Sequence, residues 1–216
     1  MIRHLLLDFD GTLVDSSDGV LDSMRRAVTA AGLVLRVELT SAMIGPPLRR
    51  LAATAIGSTD PQLLDQLESA FRRDYDERGY LSTRPYPGVR SALAEIGQAG
   101  VRLHVVTNKR IGPTRQILDA LGWRNIFASI STLDTCVAAH SKTDVVGRLL
   151  ATLSATGAGA SLVGDSADDA AAARGNGLAF GWASWGYGRD PWLATAGTRL
   201  VDAHDLTRYG LGGGDA

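Results

Sequence analysis

Two carboxylates close an apolar run near the start of the chain, in Leu5-Leu6-Leu7-Asp8-Phe9-Asp10-Gly11-Thr12-Leu13-Val14-Asp15-Ser16. Side chains alternate along a strand, so Asp8 and Asp10 share one face, and Gly11 lets the backbone turn sharply away after them. That arrangement suits a nucleophile beside an acid. With each fixed residue at a usage of roughly one in fifteen, Asp-x-Asp-Gly-Thr recurs by chance at about one position in fifty thousand. In a chain of 216 residues it is therefore a specific signal.

Further chemistry-bearing groups follow other apolar runs. Thr107-Asn108-Lys109 comes after Val101–Val106, Gly164-Asp165-Ser166-Ala167-Asp168-Asp169 comes after Ser161–Val163, and Lys142 lies between the two. The set matches phosphoryl transfer through a covalent aspartyl intermediate, in which Asp8 attacks phosphorus and Asp10 protonates the departing alkoxide. A carboxylate approaching a phosphate dianion is repelled: like unit charges about 4 Å apart cost about 4 kcal/mol at an effective dielectric of 20. Cations must offset this. Mg2+ suits hard carboxylate and phosphate oxygens, and the sequence offers no His/Cys cluster for zinc. Asp8 and Asp165 are candidate ligands, and Lys142 would neutralise phosphate as a point charge, with Lys109 as the competing cation. The Thr107 hydroxyl and loop amides would hold the remaining phosphate oxygens. Asn108 either positions the nucleophile loop or makes a turn.

These groups must be brought together by their elements. Strand-length apolar runs at Leu5–Leu7, Val101–Val106, Phe127–Ile130, Ser161–Val163, Leu178–Trp182 and Leu200–Val201 alternate with helical periodicity. Val89, Leu93 and Ile96 form one helical stripe; Pro113 opens a helix carrying Ile117, Leu118 and Leu121. The expected fold is α/β, a Rossmann-like doubly wound parallel sheet covered on both faces. Ligands bind such sheets beyond the carboxyl ends of the strands, where every group above falls. Between Asp15 and Ser82 the pattern is helical only, with Asp60-Pro61 capping a helix that carries Leu63, Leu64, Leu67, Phe71 and Tyr75. The expectation is a core of residues 1–14 and 83–216 interrupted by an all-helical cap of residues 15–82. The return linker Thr83-Arg84-Pro85-Tyr86-Pro87-Gly88 has hinge-like composition. Gly45-Pro46-Pro47 reads as a loop entering a cap helix, from which Arg49 could reach an anionic substrate tail. The glycine-rich tail from Gly210 to Ala216 reads as disordered.

Composition narrows the partners. With 22 basic and 23 acidic residues, the net charge of -1 leaves no electrostatic footprint for nucleic acid or an anionic membrane. No apolar stretch reaches membrane-spanning length. The single Cys136 excludes an internal disulfide and fits a reducing compartment. We expect a cytoplasmic monomer or homodimer acting on a small phosphorylated metabolite. His4, His104, His140 and His204 are scattered and are not expected to share a metal, and Trp182, Trp185 and Trp192 read as core or rim packing.

Asp8-Phe9-Asp10-Gly11-Thr12, Val106-Thr107-Asn108-Lys109, Lys142 and Val163-Gly164-Asp165-Ser166-Ala167-Asp168-Asp169 resemble the four ordered motifs of the haloacid dehalogenase superfamily. Pro85-Tyr86-Pro87-Gly88-Val89, the Thr-Asn-Lys triplet and Trp185-Gly186-Tyr187-Gly188 resemble its phosphoglycolate phosphatase branch. The resemblance implies Asp8 as nucleophile and metal ligand, and Asp10 as general acid/base whose backbone carbonyl also ligates Mg2+. It implies Asp165 as a further ligand, Asp169 in the shell behind the metal, and Thr107, Asn108 and Lys142 around the phosphate. Phosphoglycolate is the leading substrate by this resemblance. Ser141-Lys142-Thr143 departs from the Lys-Pro often found at the third motif. A phosphomutase of the same fold and a catalytically silent scaffold are the competing readings. The dehalogenase reading is disfavoured by Asp10 and the Asp165/Asp169 pair.

Overall fold

The structure is a computed structural model that describes residues 2–136, 138–154 and 159–213. Its centre is β1 (His4–Leu7), flanked by β4 (Arg102–Thr107) and β6 (Ala160–Gly164). β5 (Ser129–Thr132), β7 (Ala179–Ala183) and β8 (Thr198–Leu200) complete a parallel sheet of order β5-β4-β1-β6-β7-β8. The Leu5-Leu6-Leu7 run shows why it works as the central strand. Leu5 and Leu7 enter one hydrophobic layer with Leu93, Ile96 and Ile117, whereas Leu6 enters the opposite layer with Val146, Leu162 and Ala172.

Helices α4 (Val89–Gln98), α5 (Ile111–Ala120) and α9 (Ala203–Gly210) bury residues in the first layer. Helices α6 (Lys142–Leu153) and α7 (Ala167–Gly175) fill the second, with Leu193 of the short α8 (Leu193–Ala196). A third hydrophobic cluster belongs to α1 (Ser17–Ala30), α2 (Leu48–Ile56) and α3 (Pro61–Glu77), where Met24, Ala52, Leu67, Phe71 and Tyr75 are buried together. The Asp60 carboxylate accepts from the Gln62 and Leu63 backbone amides, and Pro61 occupies the first helical position where no amide is needed.

Several expectations are corrected. The strand expected at Phe127–Ile130 begins at Ser129 instead, while Phe127 packs into the core ahead of it. The last strand is Thr198–Leu200, so Val201 lies beyond it and is exposed. Arg84 and Pro85, read as part of a hinge linker, form β3 (Arg84–Pro85), antiparallel to β2 (Val14–Asp15). Both ends of the helical segment therefore meet in one short ribbon. Gly210, read as the start of a disordered tail, ends α9 beside Ile96, and the Gly213 amide bonds the Arg208 carbonyl at 2.9 Å. Residues 214–216 lie outside the described residues. His4 and His104, read as scattered, are neighbours on paired strands: His4 Nδ1 lies 3.1 Å from His104 Nε2, and His104 Nδ1 lies 2.8 Å from the Ser129 hydroxyl.

Candidate active site

The carboxyl edge of the sheet gathers the groups singled out in the sequence. Asp8 directly follows β1, and its amide bonds the Val163 carbonyl at 2.9 Å, so the strand pairing runs on into the site. The chain then turns at Gly11, whose φ of 86° belongs to the left-handed region; a Cβ there would strike the Asp165 carboxylate. Asp165 directly follows β6. Asp169 sits in the first turn of α7, where its Oδ2 accepts from the Ser166 amide at 3.0 Å and the Ser166 hydroxyl at 2.5 Å. The Ser166 hydroxyl accepts in turn from the Asp169 amide, which closes a capping box. Lys142 opens α6 behind the N-cap Ser141.

Asp8, Asp165, Asp169 and Lys142 are 5%, 2%, 0% and 6% exposed. One carboxylate oxygen from each of the three acids lies within 4.8 Å of the others. Lys142 Nζ lies 2.5 Å from both Asp8 Oδ1 and Asp169 Oδ1. Lys142 thus bridges the two carboxylates. Burial pushes the Asp8 carboxyl well above its usual range. Lys142 works against that, and Asp169 and Asp165 add to it. Asp165 is pushed up to about 7 by burial and by Asp169, although the Tyr187 and Gly188 amides oppose this. For Lys142 burial disfavours the charge, but Asp169 and Asp8 outweigh it and hold the ammonium charged.

With all three carboxylates ionised, one ammonium would leave two negative charges uncompensated, which is the cost that the raised Asp8 and Asp165 carboxyls express. Buried charge of that kind is costly unless neutralised. A divalent, oxygen-seeking cation fits this all-carboxylate donor set, whose oxygens lie within 4.8 Å of one another, so the residues present suit Mg2+. Asp169, expected behind the metal, stands in the same carboxylate triad as Asp8 and Asp165. The Asp10 carboxylate faces elsewhere: Oδ1 accepts from the Ser16 hydroxyl at 2.5 Å and from Lys109 Nζ at 3.1 Å.

The structure also separates the two lysines. Lys142 contacts Asp8, whereas Lys109 Nζ contacts Asp10 and donates to the Tyr75 hydroxyl of α3 at 2.7 Å. Thr107 is buried at the end of β4 and its hydroxyl accepts from the Lys109 amide at 3.2 Å. Asn108 Nδ2 donates to the Gly45 carbonyl at 3.1 Å and to Asp168 Oδ2 at 3.3 Å. It thereby joins the loop before α2 to the start of α7. Arg49 is already paired with Asp65 and Glu68.

One contributor escaped the sequence reading of individual residues. The Tyr187 and Gly188 amides donate to Asp165 Oδ2 at 2.6 and 3.2 Å. The Tyr187 hydroxyl donates to Asp15 Oδ1 and accepts from the Ser16 amide, both at 2.8 Å. Trp185 Nε1 bonds the Thr12 carbonyl at 3.1 Å. The loop after β7 thus orients both the acidic cluster and the turn that carries Asp8 and Asp10. Glycines beside an aromatic were its sole local signal.

Asp8 and Asp10 open into a cavity of about 570 Å³ roofed by residues of α1, α2 and α3 and floored by Thr107, Asn108 and Lys109. Residues 5–183 match the haloacid dehalogenase-like hydrolase family. The chain belongs to this family. Among its relatives, this haloacid dehalogenase-like chain is 33% identical over 178 residues to a phosphoglycolate phosphatase of Agrobacterium fabrum, covering 78% of this chain and 75% of the relative. It is 32% identical over 199 residues to the tyrosine-protein kinase PtkA of Mycobacterium tuberculosis, covering 91% of this chain and 67% of that one. A crystal structure described as a predicted phosphatase from Clostridium acetobutylicum superposes with a TM-score of 0.87 at 23% identity, covering 98% and 99% of the two chains. That last similarity shows the fold alone.

Proposed function

We propose that this hydrolase is a Mg2+-dependent phosphatase of small phosphomonoesters that works through an aspartyl-phosphate on Asp8. The observation that supports the reading best is the buried cluster of Asp8, Asp165, Asp169 and Lys142, of which Asp8 also lines the cavity. Asp8, Asp165 and the Asp10 carbonyl, with Asp169 beside them, would hold Mg2+, which would supply positive charge against the phosphate oxygens. Lys142 holds Asp8 Oδ1, which leaves the other oxygen to attack phosphorus while Lys142 offsets the charge that meets there. As the phosphorus–oxygen bond to the alcohol breaks, Asp10 gives that oxygen a proton. Asp10 then takes a proton from water, the water oxygen attacks phosphorus, and inorganic phosphate leaves a free Asp8. Thr107 and Asn108 stand beside the phosphate path at the cavity floor.

In this reading residues 15–82 form a cap whose α1–α3 cluster covers the site, and the β2/β3 ribbon is its base. The similarity to phosphoglycolate phosphatases makes phosphoglycolate the first substrate to assay. Hydrolysis of a generic aryl phosphate should require Mg2+ and fall to background in Asp8→Asn. Hydrolysis by the variant at the wild-type rate would exclude Asp8 as nucleophile. The convergence of all four motifs argues against a silent scaffold. A second reading, transfer of a phosphoryl group to a tyrosine hydroxyl instead of water, is favoured by the similarity to PtkA over 91% of this chain. Incubation with ATP and a phosphotyrosine immunoblot separates the two.

A further inference from the structure

The cavity above Asp8 and Asp10 has a composition that bears on the alcohol half of the substrate. Its volume, about 570 Å³, falls in the range of roughly 300–1,000 Å³ that encloses organic ligands with substantial bodies. A two-carbon body would leave most of it to water. The roof is apolar: Val20 of α1, Ile44 in the loop before α2, Leu48 and Leu51 of α2, and Phe71 and Tyr75 of α3 face the cavity. Water against such walls is displaced favourably by an apolar group.

The cations on the wall are engaged. Among the described lining residues these are Arg49, Arg72, Lys109 and Arg110. Arg49 pairs with Asp65 at 2.7 Å and with Glu68 at 3.2 Å; Arg72 pairs with Glu68 at 2.9 Å. Lys109 pairs with Asp10 at 3.1 Å, and Arg110 with Asp76 at 2.5 Å. Glu68 and Asp134 also line the cavity as acids. A second anionic group on the substrate would meet apolar side chains, the Asp134 carboxylate and cations already paired with acids. It would lose hydration without gaining a partner.

We propose that the preferred substrate is the phosphomonoester of a bulky, uncharged, largely apolar alcohol, and that a short carboxylate-bearing alcohol such as glycolate is a poor fit. The proposal rests on the phosphomonoesterase reading above. Phosphate is recognised at the acidic and lysine end, and the body of the alcohol fills the roof. Shape and charge at the roof thereby set selectivity at a distance from the chemistry.

The test compares kcat/KM with Mg2+ for phenethyl phosphate, its ring-carboxylated analogue and phosphoglycolate, all esters of primary alcohols. Phenethyl phosphate should exceed phosphoglycolate by about tenfold or more, and the ring carboxylate should cost about tenfold. Ile44→Ser should lower kcat/KM for phenethyl phosphate by more than for phosphoglycolate. Glu68→Gln, which releases Arg72 and half releases Arg49, should narrow the gap between the carboxylated and uncarboxylated esters. Equal or better turnover of phosphoglycolate overturns the proposal and leaves the phosphatase reading standing. So does a Glu68→Gln gap that is unchanged together with no penalty for the ring carboxylate. Absence of Mg2+-dependent hydrolysis for every ester overturns the phosphatase reading and this proposal with it.

Discussion

Asp8, Asp165 and Asp169 repel one another in a buried cluster when ionised, and Lys142 balances one of the three charges. Cation binding should therefore be read out by stability as well as by turnover. Mg2+ at a hundredfold excess over its dissociation constant should stabilise the fold by about 2.7 kcal/mol, visible as a higher melting temperature. Asp165→Asn should reduce that gain. Tyr187→Phe makes a different prediction. It removes the hydroxyl that satisfies the buried Ser16 amide and reaches Asp15, while the backbone donors to Asp165 remain. Urea unfolding should show a loss of about 1–3 kcal/mol, with the melting-temperature response to Mg2+ retained. The sequence revealed Asp8, Asp10, Asp165 and Lys142 because each is tied to a local motif or the end of an apolar run. It marked Trp185-Gly186-Tyr187-Gly188 only through the family resemblance and gave Tyr187 no role, because its partners Asp15 and Ser16 are more than 170 positions away; nor did it show that Arg49 pairs with Asp65 and Glu68.

Among the elements, β1, β4 and β6 were legible because a central parallel strand is buried on both faces and reads as an unbroken apolar run. The β2/β3 ribbon was not, since two residues per strand carry no periodicity and Pro85 argues for a turn. Nor was α9, a short helix next to a glycine-rich end. Two elements carry predictions. In the sheet, His104 is buried against His4 and Ser129, and its imidazole is pushed down from 6.5 to about 4 by burial and by the charges of His4 and Arg102. A base whose pKa falls on folding stabilises the native state above its unfolded value. That contribution is complete above pH 6.5 and is lost as pH falls from 6.5 towards 4. Stability measured by urea unfolding should decline more steeply over this window in wild type than in His104→Asn. In α1, a Cβ on Gly19 would collide with the Gly79 carbonyl, a backbone atom that cannot swing aside. Gly19→Ala should cost about 1–3 kcal/mol, again by urea unfolding. The same helix is clamped to α3 by Arg26, whose guanidinium bonds both oxygens of Asp74 and holds that carboxyl below its usual range.

At the scale of the whole molecule, polar links among the described residues join the helical segment to the sheet domain on two sides: the Tyr187 hydroxyl meets Asp15 and Ser16 beside the β2/β3 ribbon, and opposite it are three others, Lys109 with Tyr75, Arg110 with Asp76, and Asn108 with the Gly45 carbonyl. All three start from the loop after β4, which also supplies Thr107 to the cavity floor. The strand order has a further consequence, in the time domain of synthesis. β1 is synthesised well before either of its neighbours, which begin only at residues 102 and 160. Until β4 is made the strand that leads into Asp8 has two unpaired edges, and one stays unpaired until β6 follows, a state prone to wrong pairing. Pulse proteolysis of stalled nascent chains should find β1 unprotected until residues past β6 have emerged. The strand that leads into Asp8 is thus complete long before the partners that fix it in place, and the site cannot form until the stretch bearing Asp165 and Asp169 has been made.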